Sequence, residues 1–229
     1  MKKIAIFLAI GLMLCAFSTA NATLIGLKGN LTYPDILFNS GGTVSYNATT
    51  DLFTISARDY SFLKSKGGTP DNLLTGNVVF QLSITVNGSG NLVGTGTMSE
   101  IVKARTGTVT IDGTVYGNGS DVTLLQGTVY AFGWQASGSG PYTGSFDFLI
   151  NNLSGALVTD GKWPTNVPTG IVVDPDGLWS TGNWGTDFTI DKAKGDKAPL
   201  PVPEPATMLL LGSGLVGMAA FARRKFKKQ

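Results

Sequence analysis

Histidine is absent from this 229-residue chain and cysteine occurs once. The missing imidazole removes the commonest general base, the usual activator of a serine or cysteine nucleophile and the commonest transition-metal ligand. The single cysteine, Cys15, lies inside an N-terminal apolar run. Leu14 stands where a lipoprotein signal places a small residue, so no lipidation is expected there. The segment that follows has no thiol with which to form a disulfide, so an apolar core has to hold it together. Zinc, haem and iron–sulfur chemistry are excluded on the same grounds, and no cofactor is expected. Charge is sparse at 14%, and no window shows a 3.6-residue apolar period, so little helix is expected between the two ends.

Long apolar runs occur only at the termini. Met1, Lys2 and Lys3 form a basic start, Ile4 to Phe17 an apolar stretch, and Ala20-Asn21-Ala22 a small-x-small site. That is the three-part pattern of a signal peptide read by signal peptidase, with cleavage expected at Ala20 to Ala22 and residues 1–22 removed. The stretch is too short to span a bilayer comfortably and no basic cluster closes it. At the other end, residues 192–205 run from a charged segment into prolines at 199, 201, 203 and 205. Fixed φ and deleted donors predict an extended, unpaired linker. Residues 206–222 then carry no charge and would rise about 25 Å as a helix, the lower end of what crosses a bilayer. Arg223, Arg224 and Lys225 open a basic tail, 223–229, that is expected to stop in the cytoplasm and leave the rest of the chain outside.

Val202-Pro203-Glu204-Pro205, the apolar run and the terminal Arg-Arg-Lys together resemble the PEP-CTERM sorting signal of Gram-negative bacteria. The resemblance implies that Pro203, Glu204 and Pro205 are the recognition motif of an exosortase-type processing enzyme. It also implies that the chain is held in the inner membrane until processing, then displayed at the surface or released, in a setting of exopolysaccharide production. An ordinary membrane anchor on a proline-rich stalk is the competing reading of the same residues.

Of the 17 basic residues, Lys2, Lys3, Arg223, Arg224, Lys225, Lys227 and Lys228 sit at the ends, while all 15 acidic residues lie between them. The body is therefore net acidic, and nucleic acid is excluded as a partner. Residues 23–191 are rich in Gly, Thr, Ser, Asn and Val. Val78, Phe80, Leu82, Ile84 and Val86 alternate with smaller or polar residues, the period of a strand with one buried face. Strands are likewise expected at 52–57, 107–111, 114–116, 124–134, 145–150, 170–173 and 187–190. Glycine-rich clusters such as Ser40-Gly41-Gly42 and Asp112-Gly113 are expected to turn the chain between them. This predicts an all-β ectodomain, an antiparallel β-sandwich of jelly-roll type, followed by one transmembrane helix; a β-solenoid is the alternative.

Trp163, Trp179 and Trp184 fall in a loop-rich stretch and could offer flat faces for sugar rings. The first reading, though, is that they are the large apolar side chains that a cysteine-free core needs, with sugar binding the alternative. Asp174-Pro175-Asp176-Gly177 is a fragment of a calcium-loop pattern without its remaining ligands, and a simple turn explains it. Asp35, Asp59, Glu100, Asp147 and Asp187 are the carboxylates from which a glycoside hydrolase pair would be drawn. Scattered along the chain, they read as ordinary strand and turn charges, and no catalytic residue is assigned. The expectation is a noncatalytic cell-envelope or extracellular-matrix protein. A carbohydrate-binding module for exopolysaccharide is the alternative, and a secreted polysaccharide hydrolase a third reading.

Overall fold

Period-two alternation dominates the chain, and the strands it produces bury one face each. The computed structural model describes residues 24–74, 77–103, 107–136, 144–175 and 183–201. In chain order the strands are β1 Asp35–Asn47, β2 Leu52–Leu63, β3 Asp71–Asn72, β4 Val78–Thr85, β5 Gly96–Val102, β6 Val109–Ile111, β7 Thr114–Tyr116, β8 Val122–Gln135, β9 Ser145–Ser154, β10 Thr169–Pro175 and β11 Phe188–Pro199. One short helix, α1, spans Ala156–Thr159. Every pairing is antiparallel.

The main sheet runs β1-β11-β10-β9-β8-β5-β4-β2-β3, and β1 also pairs with β2. The sheet thus closes on itself through eight strands, with β3 as a short addition beside β2. Here the expectation is corrected: the ectodomain is all-β and antiparallel, but it is a barrel rather than a two-layer sandwich. Its antiparallel pairing is also not that of a solenoid of stacked parallel turns. Closure depends on β1, which holds β2 on one edge and β11 on the other.

Two misread segments explain why closure was missed. Ser40-Gly41-Gly42 is not a turn between strands but the irregular middle of β1, where the register to β11 shifts on both sides of Gly42. A Cβ on Gly42 would lie 2.9 Å from the Ala193 carbonyl oxygen and 3.1 Å from the Ala57 Cβ, so glycine is required there by close approach of neighbouring strands. The second segment is 192–199, expected to be unpaired linker. It is the greater part of β11, hydrogen-bonded between β1 and β10, and the all-β domain extends to Pro199 rather than ending at Asp191. Prolines at strand ends cost no ladder bond, and Pro199 occupies the last position of β11, its carbonyl accepting from Thr32 N at 3.1 Å and from Thr32 Oγ1 at 2.7 Å.

An eight-stranded barrel has an interior just wide enough for side chains to fill. At the end bearing the β1–β2 and β4–β5 turns, Tyr46, Phe53, Phe132, Phe146, Phe188 and Trp184 form one aromatic cluster, with ring centroids of neighbours 4.9–6.4 Å apart. The opposite end is covered by the β6–β7 hairpin and α1. Val109, Ile111, Tyr116, Leu157 and Trp163 bury their side chains there. The Lys162 Nζ fastens this cover, donating to the Ile111 carbonyl at 2.5 Å, the Asp112 carbonyl at 3.0 Å and Thr114 Oγ1 at 2.8 Å. Outside the barrel, residues 24–32 run along β10, where Leu27, Leu31 and Leu200 pack over Gly170.

Candidate functional site

Inward-facing positions of β2 follow the alternation Phe53, Ile55, Ala57, Asp59, and those of β5 follow Met98, Glu100, Val102. The phase of each strand therefore carries a carboxylate into the barrel. On β11 the same phase brings in Lys197. All three side chains have no solvent exposure. The Lys197 ammonium contacts Asp59 Oδ1 directly and lies 2.8 Å from Glu100 Oε1. Two phenyl rings wall it: the Phe80 centroid is 4.0 Å from Nζ and the Phe38 centroid 5.2 Å, and the two rings stack 5.3 Å apart. Phe38 lies over Gly195, where no larger residue fits, since a Cβ would come within 2.2 Å of the ring.

One cation faces two carboxylates in a space from which water is excluded, an expensive arrangement as a static ion cluster. Burial holds the Asp59 carboxyl well above the usual carboxylate range, Lys197 pulling the other way and Glu100 adding to the rise. Burial alone would push the Lys197 amine down, but Asp59 and Glu100 outweigh it and hold the ammonium above the ordinary lysine value. Among the described residues no donor other than Lys197 reaches the side-chain oxygens of Asp59 or Glu100. The described residues also bring together no group of three or more acidic side chains able to hold a metal ion.

Sequence reasoning named Asp59 and Glu100 among scattered carboxylates and missed that they meet. Asp147 belongs elsewhere: it is buried on the outer face of β9, where Oδ2 accepts from the backbone N–H of Gly26 at 2.8 Å and of Leu27 at 3.2 Å, pinning the N-terminal arm. Asp187 Oδ1 accepts from the Ala48 N–H at 2.7 Å. Asp35 lies half-buried diagonally across from Asp196, and its pKa is raised to about 8 by burial first and by Asp196 second. Asp174 and Pro175 end β10, and Asp174 pairs with Lys28 at 2.9 Å; Asp176 and Gly177, the rest of the expected turn, lie outside the described residues.

The tryptophans divide. Trp163 and Trp184 are each 2% exposed, so both rings are core, as the first of the two readings expects, and neither offers a face to a sugar. Trp163 Nε1 donates to the buried Thr169 Oγ1 at 2.8 Å, and Trp184 packs edge-on against Tyr46 and Phe132. Trp179 lies outside the described residues, as do the cleavage residues Ala20 and Ala22, the apolar span 206–222, Pro203, Glu204 and Pro205 of the tail motif, and Arg223, Arg224 and Lys225. No helix among the described residues is long and apolar enough to cross a membrane.

Comparison with known proteins bears on the tail. Residues 201–225 match the PEP-CTERM protein-sorting motif, and the match begins two residues after the last barrel strand ends. No curated protein and no solved structure matches the chain. The chain is accordingly an exported protein that carries a PEP-CTERM tail and is sorted by an exosortase-type enzyme.

Proposed function

We propose that this exosortase-sorted protein is a noncatalytic cell-envelope or extracellular-matrix component, whose barrel is the cargo that the tail delivers. In this reading signal peptidase removes residues 1–22, and the apolar span 206–222 with Arg223, Arg224 and Lys225 holds the chain in the inner membrane. Processing at Pro203-Glu204-Pro205 then frees the barrel for display or release. The observation that carries it is the junction: β11 ends at Pro199 and the sorting motif starts at 201, so the barrel is joined to its sorting tail with almost no intervening chain. The buried carboxylates argue against a polysaccharide hydrolase, because Asp59 and Glu100 are enclosed by the barrel wall and both end covers. With Trp163 and Trp184 in the core, the exopolysaccharide-binding alternative rests on Trp179.

The test is intact mass of the protein recovered from producing cells with and without the processing enzyme, alongside a Glu204→Ala variant. The expected native form lacks both hydrophobic ends, whereas loss of the enzyme or of Glu204 leaves the C-terminal span attached and the protein in the membrane fraction. Unchanged processing in cells lacking the enzyme would overturn the sorting route. Glycan binding that disappears on Trp179→Ala with unchanged unfolding temperature would replace the structural reading with the sugar-binding one.

A further inference from the structure

We propose that Lys197 and Asp59 condense into an intramolecular amide bond, with Glu100 as the proton carrier, covalently joining β11 to β2 across β1. Three observations converge on this chemistry. The nucleophile and the electrophile are in direct contact, and both are fixed by strands rather than loops, so the reaction is unimolecular and oriented. A carboxylate stands 2.8 Å from the same nitrogen, within proton-transfer reach. Phe38, Phe80 and the closed barrel ends keep bulk solvent from the three groups, so the reacting amine and carboxyl are poorly solvated and solvent has little access to hydrolyse the bond once it has formed.

The step balances without any oxidant, reductant or cofactor. One ammonium proton passes from Lys197 Nζ to Glu100, leaving a neutral amine. The nitrogen lone pair attacks Cγ of the protonated Asp59 carboxyl, which burial favours over the carboxylate. A second proton moves from nitrogen through Glu100 to the departing hydroxyl. The Cγ–O bond breaks, one water leaves, and the C–N bond remains. The products are a neutral amide, whose N–H faces Glu100, and a protonated Glu100. A cation and a carboxylate in an apolar interior are thereby exchanged for groups far less costly to bury. The ion cluster is the precursor state, and its poor satisfaction by other donors is what the reaction relieves.

The experiment is peptide-level mass spectrometry on the full chain extracted from producing cells in detergent. The expected product is a peptide containing Asp59 joined to a peptide containing Lys197, lighter than their sum by one water. Asp59→Ala and Lys197→Met are expected to restore the two separate peptides. In Glu100→Gln, the bond is expected to form at least tenfold more slowly, with Glu100→Asp recovering part of the rate. Water loss mapped to the Asp112-Gly113 pair instead would identify a succinimide and overturn the proposal. So would recovery of unlinked Asp59 and Lys197 peptides from the wild-type chain, a result that does not depend on any variant folding. Linkage at an undiminished rate in Glu100→Gln would remove Glu100 from the mechanism.

Discussion

Replacing Lys197, Asp59 and Glu100 together by apolar residues of similar size distinguishes an ion cluster from a covalent lock by the sign of the effect. Take Lys197→Met, Asp59→Val and Glu100→Leu in one chain. Were the wild-type cluster purely ionic, removing all three charges at once would be neutral or stabilising by about 1–4 kcal/mol. A Lys197–Asp59 bond changes that result, because it closes a loop between residues 138 apart in sequence. The loop-closure entropy such a link removes from the unfolded chain is worth about 5 kcal/mol. For a domain of this size that corresponds to roughly 10–20 °C in unfolding temperature. The triple variant is therefore expected to melt well below the wild type, followed by circular dichroism on heating. A single Lys197→Met change would not decide the matter, since it strands two buried carboxylates and costs about 3–5 kcal/mol on that account alone. A triple variant that melts at or above the wild-type temperature would refute the reasoning.

Further outcomes follow from neighbouring features. The Asp35 pKa rises from 3.8 to about 8 on folding, so the folded chain keeps a proton that the unfolded chain has released. Stability should therefore decline as pH rises through that window, and Asp35→Asn should flatten the slope in denaturant titrations at pH 4 to 8. Gly195→Ala would drive a methyl group to 2.2 Å from the Phe38 ring and 2.7 Å from the Val172 carbonyl oxygen. Overpacking of this kind costs about 1–3 kcal/mol, measurable as a lower urea midpoint. Trp184→Ala is expected to cost about 3–5 kcal/mol of stability, since the ring is buried among five aromatic neighbours of the end cluster.

Local patterns were legible in the sequence and non-local ones were not. The alternation from Val78 to Ile84 gave β4 almost residue for residue, because one buried face imposes period two on its own strand. The tail was legible for a similar reason: its motif, apolar run and basic end are consecutive in the chain. β11 was legible only at its start, 187–190; beyond that, Ala193, Gly195 and Lys197 face inward with no large apolar side chain among them. Their space is filled from β1 by Phe38, a pairing that only the closed sheet creates. Asp59 and Glu100 could have been placed inside by extending the apolar phases of Phe53-Ile55-Ala57 and of Met98-Val102. What alternation could not supply was their common partner, since β2, β5 and β11 are mutual neighbours only across the barrel interior. The sandwich expectation failed at the same point: strand count and turn spacing are shared by both architectures, and closure is decided by the two edges of β1.

The short junction between Pro199 and the motif at 201 sets the working room of the sorting machinery. A fully extended residue spans at most about 3.5 Å, so the four residues from Leu200 to Pro203 reach at most about 14 Å from the barrel rim. Pro199 leaves the barrel at the end carrying the β6–β7 hairpin and α1. With the membrane span proposed above in place and the tail still attached, that end would be moored close to the lipid headgroups like a float on a very short tether. An enzyme that acts there has to slide between a finished barrel and the membrane, which favours a catalytic centre recessed in the bilayer over one carried on a bulky external domain.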